Sequence, residues 1–400
     1  MFRWMKMAAV LLLLTVTPAM AQDTAENPLL DMLRFVPDKE EYRQIVSYGD
    51  AVAWHTSWNV PRIDGVEELD SLDRDSRAYW MNIMPRQTTP PDVLGLQYLM
   101  AEDMRVFYGF DLFNVDRYLQ AGQPPDLLSV IDYSFPDTQI TDALIESGYS
   151  VETVNDNAAL YSILDDYQID LPMETVTTRV GQLGGLNRIG LADGQMVIAK
   201  ATAIVSNAFS AYEDDTASLA DDPHFNAAAT ALFDPALEET GELVGAILMD
   251  GIGLGDPIAY LGQGATPEMI AALEESLTND DSPPLPPYYL AAFGTRHSPD
   301  ATHLILALVF PTDTDAKAAA NVVAKRMENY TSLVTNQPIA DRWELELATG
   351  TKVDGLPVAL VSMRVNDPAP TSEGEEQANT NILTWSQLVW ARDTLFLATQ

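Results

Sequence analysis

Three side chains of the chain carry the pattern best suited to ligand binding: Trp54, His55 and Trp58. In the run Trp54-His55-Thr56-Ser57-Trp58, an imidazole stands between two indole rings. Indole faces stack on sugars and other flat surfaces, and an imidazole can donate or accept a proton near neutral pH. The same rings also fill protein cores, and this alternative stays open. We take Trp54, His55 and Trp58 as the candidate ligand-binding residues.

The segment around these residues, 42–118, is the part of the chain richest in aromatic side chains. It holds 12 of the 34 aromatic residues, almost twice the density of the whole chain. Such a density is typical either of a sugar-stacking surface or of a core, so the segment alone does not choose between them.

Two of the remaining histidines could be considered as metal ligands. His297 and His303 flank a predicted turn, Ser298–Thr302, between two strands. Five residues in the turn would let the two rings face each other, whereas four would send them to opposite faces. A structural zinc site needs four protein ligands and a catalytic one three, and no third ligand is evident, so we predict no metal site.

The motifs of common enzyme classes are missing from the sequence. There is no Cys and no G-x-S-x-G nucleophile turn. Asp250-Gly251-Ile252-Gly253-Leu254-Gly255 has a glycine turn but not the G-x-G-x-x-G spacing of dinucleotide sites. We therefore predict no cofactor and name no catalytic residue. A pair of carboxylates for glycoside hydrolysis remains conceivable among 59 acids.

The charge of the chain excludes two classes of partner. Twenty-two Lys and Arg stand against 59 Asp and Glu, which gives a formal net charge of −37. Nucleic acid and anionic membrane surfaces both require clustered basic residues, so neither is expected as a partner. The partner we expect is a protein or glycan ligand whose identity, like the oligomeric state, the sequence leaves open.

The first 21 residues have the layout of a secretory signal peptide. Arg3 and Lys6 precede an apolar run over 7–17, and Ala19-Met20-Ala21 forms a small-residue cleavage site before Gln22. The apolar run is shorter than the ~20 residues that span a bilayer. We therefore predict a secreted, periplasmic or cell-surface protein.

The pattern of strands and helices occurs twice. A strand over 127–135, a helix beginning at Asp137, further strands and a hairpin over 186–199 are followed by a helix over 201–212. A strand over 303–310, a helix beginning at 313, two strands and a hairpin over 387–398 repeat that order. We predict an α+β fold of two related units with antiparallel-rich sheets, each covered by helices on one face, connected in a ferredoxin-like pattern.

The domain organisation follows from the same repeat. We place the N-terminal α+β domain over 22–235, including the aromatic-rich segment 42–118. We predict that the C-terminal α+β domain over 243–400 is a partial repeat of 127–212 and that the linker between the domains lies around Phe233–Glu242.

A short phrase of the sequence resembles a bacterial group. Leu219-Ala220-Asp221-Asp222-Pro223-His224-Phe225, with Ala231-Leu232 after it, is similar to a phrase in uncharacterised extracytoplasmic bacterial proteins of domain-of-unknown-function type. The resemblance implies a secretion signal and repeated α+β units, and it implies no activity. Taken together, these features favour a secreted, non-catalytic binding or interaction module, with a secreted glycan hydrolase as the alternative.

Overall fold

The computed structural model describes most of the chain from residue 27 onward. The described residues are 27–82, 101–154, 158–169, 185–192, 194–256, 266–277, 283–332, 336–365 and 385–399. The predicted signal peptide therefore lies outside them.

Twelve strands of the described residues form a single sheet in which every neighbouring pair is antiparallel. Its order is β11-β12-β10-β9-β8-β1-β2-β3-β7-β6-β5-β4. The strands are β1 (Ile45–Asp50), β2 (Val115–Ala121), β3 (Leu128–Tyr133), β4 (Ser150–Thr153), β5 (Ala159–Ser162), β6 (Arg188–Ala192), β7 (Gln195–Ala199), β8 (Glu242–Asp250), β9 (Leu290–Ser298), β10 (Ala301–Val309), β11 (Trp343–Val353) and β12 (Leu356–Val365).

Helices of the described residues precede, link and follow these strands. They are α1 (Pro28–Leu33), α2 (Glu40–Arg43), α3 (Ala51–Ser57), α4 (Arg74–Asn82), α5 (Ala101–Tyr108), α6 (Asp137–Glu146), α7 (Thr202–Tyr212), α8 (Pro223–Ala231), α9 (Gly251–Gly255), α10 (Pro267–Leu277), α11 (Asp313–Asn329) and α12 (Trp385–Trp390). Several begin at a side chain that caps the first turn, among them Asp50, Asp222, Asp250 and Thr312.

The α+β class and the antiparallel sheet are confirmed, but helices cover both faces of the sheet rather than one. Along β10, Ile305 belongs to a core packed by α1, α7 and α8. Its neighbours Leu304 and Leu306 belong to a second core, on the opposite face, packed by α3, α11 and α12. A third core lies under α5 and α6. An unbroken apolar strand such as 303–310 is what a sheet buried on both faces requires.

The two-unit ferredoxin-like connection is not confirmed, although part of it occurs in the sheet. In that pattern the two strands of a split βαβ unit are separated by another strand. Strands β10 and β11, which α11 connects, are separated by β12 in this way. By contrast, β1 pairs directly with β2, as Tyr48 opposite Leu119 shows. Likewise β8 pairs directly with β9, with Ile247 opposite Phe293.

One predicted hairpin is wrong. Residues 387–390 form part of helix α12, and Leu395–Leu397 form a 3₁₀ turn. Trp385, Leu388 and Val389 are buried at helical spacing, so α12 packs through one face. The helix ends at Trp390, and Arg392, two residues later, has a left-handed φ of 55°. A single left-handed residue after the last turn is a common way for a helix to stop.

A true hairpin occurs where separate strands were predicted. Strands β11 and β12 are joined by Asp354 and Gly355, whose φ angles are 48° and 86°. Two consecutive left-handed residues with the sequence Asp-Gly give the tight turn whose twist suits neighbouring strands.

Candidate functional site

A pocket of about 500 Å³ opens at the end of the sheet where β8 finishes and β1 begins. We call it the seam pocket, because β1 and β8 are neighbours in the middle of the sheet order. It is lined by Glu40, Arg43, Gln44, Gln123, Met249, Asp250, Ile252, Gly253, Leu254, Val389, Arg392 and Thr394.

The seam pocket combines a buried, largely apolar interior with an exposed rim. Leu254, Val389 and Thr394 are buried, and Met249 is half-buried. Ile252 stands at the rim with 82% of its surface exposed. Small-molecule pockets combine apolar walls with a few polar groups in this way.

One side of the seam pocket is fixed by the turn from β8 into α9. Asp250 caps the helix, its Oδ1 accepting the N–H of Ile252 at 2.7 Å. Gly251 follows because a Cβ there would lie 2.2 Å from the carbonyl oxygen of Tyr288. The glycine turn seen in the sequence is therefore a short capped helix that lines a pocket.

A second side is fixed by Arg43, which connects α2 to the start of α8. Its Nε donates to Asp38 Oδ1 at 2.7 Å, and its Nη2 donates to Asp222 Oδ2 at 2.7 Å. Burial alone would lower the pKa of Arg43, but the hydrogen bonds and charges of Asp222 and Asp38 raise it above its ordinary value. The guanidinium is therefore charged and held in place by two carboxylates.

The third side is the segment after α12. Asp393 is buried and accepts hydrogen bonds from the Tyr330 hydroxyl at 2.7 Å and the Ser332 hydroxyl at 2.5 Å. Arg326 donates from Nη1 to the carbonyl oxygens of Phe396 and Ala398, at 3.1 and 2.7 Å. These bonds hold the segment that carries Thr394 and Arg392 against the body of the protein.

The structure places the three predicted ligand-binding residues at the other end of the sheet, on α3 and just after it. Trp54 has no exposed surface, His55 is buried and Trp58 is half-buried. Trp54 packs edge-on to Trp80, with ring centroids 6.3 Å apart, and Trp58 stacks flat on His297 at 3.7 Å. In this arrangement Trp54 and His55 contribute to the core and present no ring to a ligand.

Two of the histidines in this region are held in their neutral form. Burial lowers the pKa of His55 to about 4, and its Nδ1 lies 3.1 Å from the carbonyl oxygen of Val60. Burial also lowers the pKa of His297 to about 4, with a further contribution from His303. Its Nδ1 is 3.0 Å from the hydroxyl of Thr302.

His297 and His303 do not face each other. His297 lies opposite Thr302 in the β9–β10 ladder, while His303 lies opposite Arg296. Since 302 and 303 are successive strand residues, the two imidazoles point to opposite faces of the sheet. His303 instead contacts Glu346, 2.8 Å from Nδ1 to Oε2. Among the described residues, no three His, Asp or Glu side chains form a group able to hold a metal ion.

A second pair of carboxylates bridged by one arginine lies in a row across β1, β2 and β3. Arg117 donates from Nε to Asp50 at 2.8 Å and from Nη1 to Asp132 at 3.0 Å. Burial raises the pKa of Asp132, against the opposite effect of Arg117. Tyr48 also donates to Asp50, at 3.0 Å. One guanidinium donates to both carboxylates and so orients them, and neither Asp50 nor Asp132 lines the seam pocket.

Sequence reasoning missed the residues of the seam pocket because they come from four separated stretches of chain. The one local signal was the strand followed by Asp250-Gly251, which marks a capped helix turn and a close backbone approach. Arg43, Val389 and Thr394 gave no signal, since nothing in their neighbourhood differs from an ordinary charged or apolar position.

Among known proteins, the chain has a low similarity to solved structures of TP0453. Crystal form I of TP0453 shares 8% identity with a TM-score of 0.34, over 92% of this chain and 98% of that chain. Form IV also shares 8% identity with a TM-score of 0.34, over 82% and 92%. A likeness at this level carries no argument about function. No protein-family model and no curated protein matches the chain.

No described helix combines the length and the hydropathy that crossing a bilayer requires.

Proposed function

We propose that this protein is an exported, non-catalytic binding module whose ligand enters the seam pocket. The observation that carries the proposal is the pocket itself: about 500 Å³, with a buried apolar interior and a polar rim. Ligand sites for small molecules have volumes of roughly 300–1,000 Å³ and the same distribution of apolar and polar groups.

The seam pocket is held in shape by contacts made before any ligand arrives. Asp250 caps one wall, Arg43 is fixed between Asp38 and Asp222, and Asp393 fixes the third. A site whose walls are already ordered loses little conformational entropy on binding. The ordered walls therefore support the proposal that the seam pocket binds a ligand.

We also propose that the sheet consists of two related units joined at β1 and β8. The order β1-β2-β3-β7-β6 in one half corresponds to β8-β9-β10-β12-β11 in the other, with hairpin β4–β5 added to the first. In both halves a helix follows the third strand. Asp50 and Asp250 correspond, since each ends the first strand of its unit and caps the next helix.

This correspondence relates the seam pocket to the tryptophan-rich cluster. Helix α9 beside the pocket corresponds to α3, which carries Trp54 and His55. Because β1 and β8 are antiparallel, the two helices lie at opposite ends of the sheet. At the α3 end, Trp58 stacks on His297. On this proposal, protein side chains fill the space at one end of the β1–β8 pair, and the seam pocket at the other end is left for a ligand.

Export is the second part of the proposal, and it rests on the sequence of residues 1–21. The intact mass of the protein recovered outside the cytoplasm should match a chain that begins at Gln22. A recovered protein that still begins at Met1 would contradict the cleavage.

Binding at the seam pocket can be tested with a neutral apolar fluorophore, N-phenyl-1-naphthylamine, whose emission rises in an apolar environment. We expect saturable binding by the wild type. Gly253 is the position for a blocking variant, because a Cβ there meets nothing within 4 Å and its φ is not left-handed. Gly253→Trp should weaken binding at least about tenfold, whereas Gly253→Ala should bind as the wild type does.

Two outcomes would contradict the proposal. Equal binding by wild type and Gly253→Trp, with matching thermal melts, would place the dye elsewhere on the protein. Turnover of a glycan by the wild type, lost in Asp250→Asn, would instead favour the hydrolase alternative, because Asn keeps the capping oxygen but removes the carboxylate.

A further inference from the structure

We propose that the seam pocket takes uncharged or cationic amphipathic molecules and rejects anionic ones. The inference rests on the proposed binding function and names the class of ligand. It depends on three observations: the pairing of Arg43 with Asp38 and Asp222, the excess of carboxylates around the pocket, and the apolar interior.

The guanidinium of Arg43 is already paired with two carboxylates. Its Nε and Nη2 are both engaged, by Asp38 and Asp222, at 2.7 Å each. An anion that approached Arg43 would meet the negative charge of these two carboxylates, and Asp222 is held there because it also caps α8 through the N–H groups of His224 and Phe225. Replacing an ion-paired carboxylate by another anion brings no net gain in charge pairing.

Carboxylates outnumber guanidinium groups around the seam pocket. Glu40 and Asp250 line it, Asp38 and Asp222 stand behind Arg43, and Arg392 is the second basic residue of the lining. The chain as a whole has a formal charge of −37. The local and the overall potential are therefore negative, which favours cations and opposes anions.

The apolar interior requires an apolar body on the ligand. Leu254 and Val389 are buried in the pocket, Met249 is half-buried, and Ile252 offers an exposed side chain at the mouth. A short alkyl chain or an aromatic ring fits this interior within about 500 Å³. Each buried methylene of such a body should strengthen binding roughly fourfold, so the tail supplies affinity and the head supplies selectivity.

Competition between two surfactants of equal tail length separates these effects. Octyltrimethylammonium and octyl sulfate, each below its micellar concentration, would be used to displace bound N-phenyl-1-naphthylamine. At about 50 mM salt the cation should displace the dye at a concentration at least about tenfold lower than the anion. The ratio should fall several-fold at about 1 M salt, where charges are screened over ~3 Å.

Two variants show whether the pocket or the overall charge sets this preference. Glu40 is exposed at the rim, and Glu40→Lys should reduce the cation-to-anion ratio at least about threefold. Glu344 is exposed on strand β11 and does not line the pocket, so Glu344→Lys should leave the ratio within about twofold.

The possible failures are distinguishable. If the dye binds and Gly253→Trp abolishes that binding, but the two surfactants compete equally, the binding function stands and the charge selectivity is wrong. If Glu344→Lys lowers the ratio as much as Glu40→Lys does, the selectivity belongs to the whole surface and this inference is wrong. If neither dye nor surfactant binds, the proposed function itself fails.

Discussion

Single side chains in this protein show how burial changes the chemistry that a residue type suggests. The run Trp54-His55-Thr56-Ser57-Trp58 carries groups that could stack on a ligand and exchange a proton. Trp54 has no exposed surface, and burial lowers the pKa of His55 to about 4. The indole and imidazole therefore stabilise the packing of α3, and the residue types alone could not reveal this because the sequence does not show what covers them.

The buried histidines make stability sensitive to acid. In the unfolded chain each titrates near 6.5, whereas His55 and His297 titrate at about 4 in the folded protein. The unfolded state therefore binds more protons between those values, and stability falls as pH drops from about 6.5 to about 4. Each residue should reduce the free energy of unfolding by up to ~1.4 kcal/mol per pH unit in that window.

Urea denaturation at about pH 7, 5.5 and 4.5 measures this effect. His55→Phe and His297→Gln should each lose less stability than the wild type between the highest and lowest pH. His224→Gln is the control, because that ring is only half-buried at the start of α8. An equal loss in all four proteins would assign the acid sensitivity to the carboxylates.

Removal of Arg117, the cation between Asp50 and Asp132, should strongly reduce the stability of the fold. Asp50 is only 3% exposed, so Arg117→Met would leave its carboxylate buried, with the Tyr48 hydroxyl and the N–H of Ala53 as its hydrogen-bond donors and no cation beside it. We expect a loss of about 3–5 kcal/mol in the free energy of unfolding, measured by urea denaturation. Asp50→Asn combined with Arg117→Met should recover part of that loss, since Asn keeps the cap of α3 without the charge. Two variants of equal stability would show that the buried charge is not the cause.

At the level of strands and helices, continuous patterns were predictable and ambiguous ones were not. The apolar run at 303–310 and the stripe of Ala316, Ala320, Val323 and Met327 are unambiguous, and both elements form as predicted. Residues 387–398 contain short apolar pairs that suit a strand or a helix turn equally well. There the packing of Trp385 and Leu388 against the sheet decides the outcome, and tertiary contacts of that kind leave no local signature.

The entry into β8 depends on a glycine that no other residue can replace without strain. Gly241 has a φ of 85°, and a Cβ there would lie 2.0 Å from the carbonyl oxygen of His297. Its own carbonyl oxygen accepts a hydrogen bond from Arg296. Gly241→Ala should therefore cost at least about 2 kcal/mol in the free energy of unfolding, measured by chemical denaturation.

The matched comparison for that substitution is Gly253→Ala. Gly253 lies inside α9 with open space around it, so Ala should be neutral or stabilise by up to ~1 kcal/mol. Equal effects of the two substitutions would show that the geometry at Gly241 is unimportant.

For the whole molecule, the charge of −37 dominates the expected response to salt. Repulsion among the carboxylates destabilises the compact state, and it weakens as the Debye length falls from ~10 Å at about 0.1 M to ~3 Å at about 1 M salt. The melting temperature should rise with sodium chloride over that range. Changing Glu152, Glu239 and Glu344 together to Lys should flatten the rise, because all three are exposed. A melting temperature independent of salt in the wild type would mean that the acids are too far apart to repel one another.

The pairing of β1 with β8 places the two strands at the centre of the sheet although one begins at Ile45 and the other at Glu242. A ribosome delivers the first strand long before its neighbour, so the outer backbone edge of β1 stays without a hydrogen-bonding partner until residues 242–250 have been made. Unpaired strand edges are the usual starting points for aggregation. A strand that lies at the centre of the finished sheet is therefore open to mispairing while the chain is being synthesised.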